Sequence, residues 1–476
     1  MARGRRRERH RHHPRPPGRD RISDLPDELL LAILARLRST RDAARTSILS
    51  RRWRRVWAHL PALSFLWEGV AIPAQEVDRV DAALHARAAA GFTFNLLEIK
   101  ADRVFADRVV PWLRFASQHL TGKLCLSLVI SRQSLETPEI EFPLCERFTS
   151  IRLDLCFRIR LLFKLSPSAG GAFTALATMM ITWAHVDGQE LDAVLSARCP
   201  NLKELTLEYI TAVGDLLIRS DSLEKLKIKT DKLLEGRLKA TTPKLLTLEA
   251  SITCDAWIAA PLLSEVDWCV EPYDRSRHFI TEAAHHLRQL TIMTHPSNTG
   301  DLMQRFDTVD MLNLLINVQM GKEEYNIFLD DINQLSQCDV LKIRLYIRGH
   351  AFRPTMLHLL RKCIGVRKLV VDYSGFIQSD NCCMSRGCSC KWPDKMEKIV
   401  LNALEEIEVK GHGTADCKVE LVRLLCNGNV TSQKKMTITV LEDIRQIGYI
   451  RKEIGHCIIL PNDKVEVIVK SASVEI

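Results

Sequence analysis

Residues 22–65 read ISDLPDELLLAILARLRSTRDAARTSILSRRWRRVWAHLPALSF. Asp24 has the chemistry of an N-cap and Pro26 suits a first helical turn. Asp27 and Glu28 place negative charge at the positive end of the helix dipole. Leu30, Ile33, Leu34 and Leu37 follow at three- and four-residue steps, so an apolar stripe runs along this helix, and Leu29 and Leu31 widen it. Ser39 with Asp42 has capping-box spacing before Ala43, Ala44, Ile48 and Leu49. Ser50 can cap a third short helix carrying Trp53, Val56 and Trp57. The stretch predicts three helices with more apolar surface than so small a module buries by itself. The surplus either receives a partner protein or packs on the domain that follows.

Downstream, residues 74–90 predict a helix with Val77, Val80, Ala83 and Leu84 on one side. Then one pattern recurs, an apolar residue followed after two others by an alternating apolar pair, as in Phe94, Leu97 and Ile99 or Leu202, Leu205 and Leu207. Its middle residues fall at 97, 124, 151, 179, 205, 226, 246, 266 and 290. Steps of roughly 20 to 29 residues are those of leucine-rich repeats, each a short strand plus a return segment. The longer units have room for a returning helix, as at residues 189–197, and the shorter ones are expected to return through loops or a single helical turn. Val309 with Met311, and the runs 341–347 and 366–371, continue the strands at uneven spacing. Residues alternating with the buried leucines face the opposite side, where such arrays usually bind. On two neighbouring units Glu204, Thr206 and Glu208 lie beside Lys225, Lys227 and Lys229. These charges either form a recognition strip or pair across adjacent strands.

The elements LPDELL, ILARL and SILSRRWRRVW, in that order, resemble the F-box of plant F-box proteins. That resemblance implies docking on a Skp-family adaptor, which ties the chain to a cullin and a RING subunit. By position Leu25, Pro26, Ile33, Leu37, Leu49 and Trp53 would be the docking and supporting residues. Arg38 stands where relatives often have proline. Near the C-terminus, Leu401, Leu404, Ile407 and Val409 precede a helix-like VELVRLLCN and the strand-like KKMTITV, with Val465, Val467 and Val469 alternating at the end. With the preceding Cys388-Ser389-Cys390 and Trp392, this resembles the FBD segment that closes many plant F-box and leucine-rich-repeat proteins. Residues 431–433 are more polar than that family's usual approach to its last strand. A repeat array needs a cap on its last apolar face, and the segment is read as that cap.

The implied fold class is α/β: a three-helix F-box, a leucine-rich-repeat solenoid or horseshoe, and an FBD-like α/β cap. The divisions are a basic tail over 1–21, the F-box over 22–65, a connector helix over 66–93, repeats over 94–375, a cysteine-rich loop over 376–395 and the FBD-like segment over 396–476. Such a chain is expected to be a non-catalytic substrate receptor of an SCF-type ubiquitin ligase in the nucleus or cytoplasm. It would use no cofactor, and nothing in its sequence names the target. The rival reading is a leucine-rich scaffold or nucleic-acid-associated protein that recruits no ligase.

Charge bears on that rivalry. The 476 residues carry a net +9, with 46% hydrophobic and 26% charged residues, the composition of a soluble globular protein. Residues 1–21 hold nine arginines against Glu8 and Asp20, a net of +7, which leaves only +2 for the remainder. This tail lacks apolar periodicity and reads as disordered. Nuclear import, nonspecific contact with nucleic acid and plain solvation are all open readings of it. It has no apolar stretch of the kind a secretory signal needs. The uncharged run 165–186 contains Pro167, Gly170 and Gly171 and is not expected to span a membrane.

Fifteen cysteines, an odd number scattered through apolar strands, read as reduced buried thiols. Cys382, Cys383, Cys388 and Cys390 lie within nine residues, without the two separated ligand pairs of a usual structural zinc site, so no metal is assigned. His278, His285 and His286 could share a helix face, but such a group is read as a solvated surface and no metal is assigned to it. No P-loop, HExxH, nucleophile elbow or glycine-rich dinucleotide turn is present.

Overall fold

The computed structural model describes residues 25–37, 40–66, 74–91, 93–131, 137–163, 171–230, 236–269, 271–293, 299–318, 321–347, 352–363, 365–372, 399–410, 415–426, 430–431, 436–442, 446–457 and 465–471. The arginine tail, Asp24, Arg38, Ser39, the Cys382–Cys390 cluster, Trp392 and residues 432–435 lie outside these ranges.

The chain opens with α1 (Asp27–Leu34), α2 (Thr40–Arg45) and α3 (Trp53–Val56), the last two separated by a 3-10 turn at Thr46–Ile48. The N-cap of α3 is Arg52 and not the expected Ser50, whose Oγ nevertheless accepts from the Trp53 amide at 3.4 Å. The helix α4 spans Ala74–Ala90 and buries Val77, Val80 and Leu84. It is followed by α5 (Ala106–His119). Asp81 of α4 accepts from the Trp112 indole of α5 at 2.6 Å, while Arg108 of α5 lies against both Asp78 and Asp81.

A sheet of 17 strands dominates the structure. Ala62–Phe65, Phe94–Val104, Leu120–Ile130, Ser150–Phe163, Thr178–Asp187, Glu204–Val213 and Lys225–Thr230 pair each with the next. Thr247–Ser251, Glu265–Trp268, His286–Met293, Thr308–Val318 and Gln337–Ile347 continue the ladder. Lys368–Asp372, Glu406–Lys410, Met436–Glu442 and Val465–Ser471 complete it, with Glu139–Phe142 joining beside the far half of Ser150–Phe163. Every pairing is parallel. Parallel neighbours cannot be joined by hairpins, so each unit must carry its chain back on the other side.

Leu97, Leu124, Ile151, Met179, Leu205, Leu226, Leu248, Val266, Leu290, Leu312, Leu341, Leu369, Ile407 and Ile438 are partners in one continuous register, and all are buried. One expectation is corrected here. Leu248, not Leu246, occupies the row, with Leu246 43% exposed. Both residues are apolar, and the neighbouring strand decides between them. Val309 and Met311 lie in the strand Thr308–Val318, as their pattern predicts.

The return segments differ from expectation in the short units. Leu216–Arg219, Leu238–Thr241, Ala256–Ala259 and His278–Thr281 form a second, four-stranded parallel sheet instead of loops or single helical turns. About 20 residues leave no length for a returning helix, and an extended return satisfies its backbone against its neighbours. Leu216, Ile218, Leu238, Ala240, Ala256, Ile258 and Ile280 of this second sheet share one core with the buried leucines of the first. Some longer units return through helices, as at Gly188–Arg198. There Asp187 accepts from the amides of Gln189 and Glu190 at 2.9 and 3.0 Å. Gly188 is required at that corner because a Cβ there would stand 2.0 Å from the Asp215 carbonyl oxygen.

Three further differences follow from pairing that sequence patterns do not show. Residues 62–65, expected to belong to the helical module, form the first strand of the sheet. The C-terminal segment has its expected strand, helix and strand, but also a helix at Ile447–Cys457 before the last strand. His278 and His286 lie on separate strands, and His285 is in the turn between them, so the three share no helix. No helix among the described residues is long and apolar enough to cross a membrane.

Candidate functional site

The three N-terminal helices have a core of their own, made by Leu30, Leu34, Ala43, Trp53, Val56 and Leu60, with Leu25, Leu31 and Trp57 packed against it. It is distinct from the core that runs through the sheets. The predicted stripe on α1 therefore divides. Leu30 and Leu34 point inward, at 0% and 2% exposure, whereas Leu29, Ile33 and Leu37 stay exposed at 51%, 45% and 39%. Ile48 and Leu49, after α2, are more open still, at 85% and 65%. A large aliphatic side chain gains about 1.5–3 kcal/mol when buried, so five left in water are a substantial unused surface.

Backbone geometry holds this surface in place. Pro26 precedes α1 with ψ near 155° and makes no side-chain cap, and the acidic Asp27 and Glu28 occupy the first turn. The Arg52 guanidinium reaches back from the start of α3 to Asp27 at 2.6 Å and to the Leu25 carbonyl. That clamp fixes the entry of α1 against the start of α3.

Of the six residues singled out by sequence, Pro26, Ile33, Leu37 and Leu49 are exposed, Leu25 is half-buried and Trp53 is buried at 7%. Trp53 supports the face from within. Leu29 and Ile48 belong on the exposed side although sequence placed neither among the six. The signal for Leu29 was its four-residue spacing to Ile33, which puts it on the same face as Ile33 and Leu37.

A family model described as F-box-like matches residues 22–61. The chain is 28% identical to F-box/LRR-repeat protein 25 of Arabidopsis thaliana over 44% of its own length and 76% of that protein. It is 30% identical to an F-box/FBD/LRR-repeat protein of the same plant over 44% of this chain and 47% of that one. A third Arabidopsis relative, an F-box protein, is 25% identical over 89% of this chain and 87% of its own length. Residues 22–61 thus match an F-box-like domain, and the chain is similar to plant F-box proteins of the F-box/leucine-rich-repeat and F-box/FBD/leucine-rich-repeat types.

Elsewhere in the chain, Glu208, Lys225, Lys227 and Lys229 of the charged strip noted in the sequence are paired. Lys227 lies 3.4 Å from Glu208 and 3.1 Å from Glu249, Lys229 lies 3.0 Å from Glu208, and Lys225 lies 3.4 Å from Glu249. The hydrogen bond to Glu249 holds the Lys227 ammonium above its usual pKa. Burial opposes ionisation of Glu249, but Lys227 and Lys225 outweigh it and draw its carboxyl below the usual range. Of the two readings of this strip, cross-strand pairing is the one its geometry supports. Burial pushes the Cys199 and Cys338 thiols up to about 12, which leaves them protonated and unreactive at neutral pH. Among the described residues no three of His, Cys, Asp and Glu are arranged to hold a metal.

One exposed feature had no sequence signal. Trp183 and Tyr209, on adjacent strands, stack with ring centroids 4.2 Å apart and planes 13° from parallel. Both have left-handed backbones, at φ 61° and 55°, and both are about two-fifths exposed. A bulge re-aims each ring outward from a position that alternation assigns to the core side.

Proposed function

We propose that this protein is the substrate receptor of an SCF-type ubiquitin ligase. Its F-box binds a Skp-family adaptor, and through it a cullin and a RING subunit. The repeats form a leucine-rich-repeat horseshoe that holds a target protein, closed at its C-terminal end by the FBD-like segment. The chain performs no chemistry itself, because ubiquitin transfer belongs to other subunits, and it acts in the nucleus or cytoplasm. Leu25, Pro26, Ile33, Leu37 and Leu49 make the adaptor contact, with Trp53 behind them. The observation that carries this reading is the separate helical core with Leu29, Ile33, Leu37, Ile48 and Leu49 exposed outside it among the described residues. The unbroken parallel register of buried leucines supports the repeat part.

The test is co-purification of the full chain with a Skp-family adaptor. Complex formation is expected, and Leu25→Ala with Pro26→Ala should abolish it while the repeat fold stays intact. Failure of the unaltered protein to bind any Skp-family adaptor would sink the reading. Salt-sensitive retention on nucleic acid, lost on removal of residues 1–21, would instead favour a scaffold acting through its tail.

A further inference from the structure

Where the chain enters the neighbouring strands Thr308–Val318, Gln337–Ile347 and Lys368–Asp372, it encloses a cleft of about 630 Å³. Val309, Leu341 and Val366, all buried, are its apolar lining, and Leu335 packs against the same core. Two opposite charges also line it, Asp339 and Lys362, both exposed. Backbone pairing brings their segments together. The Arg367 amide donates to the Asp339 carbonyl at 2.9 Å, and the Val366 amide closes a turn onto the Cys363 carbonyl at 3.2 Å, directly after Lys362. Among the described residues neither the Asp339 carboxylate nor the Lys362 ammonium has an ion-pair or hydrogen-bond partner. By contrast, His286 at the same cleft pairs with Asp310 at 2.9 Å, and the Ser336 hydroxyl donates to the Met303 carbonyl at 3.2 Å. The volume falls in the range of roughly 300–1,000 Å³ that small-molecule sites occupy. Unlike charges beside an apolar patch complement a ligand that carries both charges next to an apolar side chain.

We propose that this cleft binds a free α-amino acid with a large apolar side chain. Its ammonium pairs with Asp339, its carboxylate pairs with Lys362, and its side chain covers Val309, Leu341 and Val366. The ligand bridges two repeat units and touches none of the residues assigned to the adaptor contact, so the site stands or falls independently of adaptor binding. A short peptide carries the same two charges further apart, and the experiment separates the two sources.

The full chain is titrated calorimetrically with L-leucine, with N-acetyl-leucine, which lacks the ammonium, with leucinamide, which lacks the carboxylate, and with glycyl-leucine. Expected is saturable binding of leucine, about fivefold or more tighter than of either capped form. Asp339→Asn should bring leucine and N-acetyl-leucine to within about twofold of each other, and Lys362→Gln should do the same for leucine and leucinamide. No saturation by leucine at millimolar concentration, equal binding of leucine and its capped forms, or unchanged discrimination in either variant at unchanged circular dichroism would overturn the proposal. Tighter binding of glycyl-leucine than of leucine would overturn the assignment to a free amino acid.

Discussion

Arg87 in α4 donates from Nη2 to the Leu60 carbonyl at 3.0 Å and to the Thr93 carbonyl at 3.3 Å. Leu60 closes the core of the helical module, and Thr93 precedes the long strand Phe94–Val104, so one side chain ties the F-box to the sheet. The guanidinium is almost fully buried, at 1% exposure, and its Nε and Nη1 have no partner. Burial accordingly lowers its pKa. The Phe94 ring, 5.7 Å from the guanidinium carbon, provides partial compensation.

Removing Arg87 should therefore be costly despite its imperfect pairing. Arg87→Ala leaves two carbonyls without their donor and opens a cavity, for an expected loss of about 2–4 kcal/mol. Arg87→Lys should recover less than half, because its shorter stem does not carry the nitrogen out to where Nη2 meets both carbonyls, and it buries a compact, more strongly hydrated charge. Urea unfolding of the full chain measures both. A loss below about 0.5 kcal/mol for Arg87→Ala, the range of ordinary surface changes, would show that the tie is not structural.

The division of α1 into two faces separates binding from folding. Ile33→Asp and Leu49→Asp change exposed residues and should alter unfolding free energy by no more than about 0.5 kcal/mol. Under the proposed function each should weaken adaptor binding by about tenfold or more. Leu30→Ala, in the core, should cost about 2–5 kcal/mol in stability. Thermal denaturation and adaptor titration on the same three variants decide it. Equal destabilisation by Ile33→Asp and Leu30→Ala would mean that the two faces are not distinct.

The sequence made the repeat register and the F-box legible for a common reason. Leu97, Leu124, Ile151 and their successors are buried on one face at fixed steps, and the hydrophobic pattern records burial. Where two apolar residues compete, as with Leu246 and Leu248, pattern is ambiguous and only the partner strand resolves it. The second sheet was hidden because its strands are four residues long, each with only two buried positions. Residues 62–65 were assigned to the helices because ALSF is too short to show its own period, and its strand state comes from Leu96–Ile99 beside it. At the candidate site, the stripe on α1 was visible but not which half of it faces inward. That choice depends on where Trp53 and Val56 pack.

The bulged Trp183 offers a test of backbone strain. A left-handed backbone costs an ordinary L-residue roughly 1–2 kcal/mol, less for asparagine and more for a β-branched side chain. Trp183→Asn and Trp183→Val both remove the stack on Tyr209, so that loss cancels between them. Trp183→Val should therefore be the less stable by about 1 kcal/mol or more, read as a difference in urea midpoint at constant slope. Equal midpoints would indicate that the strand rearranges and that φ near 61° is not imposed by the fold.

His278 gives a stability change with a definite sign in pH. Its ring is buried at 3% exposure among Trp268 and Tyr273. Nδ1 accepts from the Asp274 amide at 3.0 Å, which assigns the proton to Nε2. Burial, with the nearby Arg277, lowers its pKa below the ordinary 6.5, against a weaker opposite pull from Asp274 and Asp255. The unfolded chain then takes up the proton before the folded one does. Stability from this group is fully present above pH 6.5, falls as pH drops below that value, and levels off once the folded ring is also protonated. His278→Asn keeps an acceptor for the Asp274 amide but does not titrate. It should be less stable than the native protein at pH 7.5 by about 1–2 kcal/mol through lost packing, with the gap narrowing as pH falls toward 5. Guanidinium unfolding of both proteins across that range measures the gap, and a gap that stays constant or widens would show that His278 is not the titrating group.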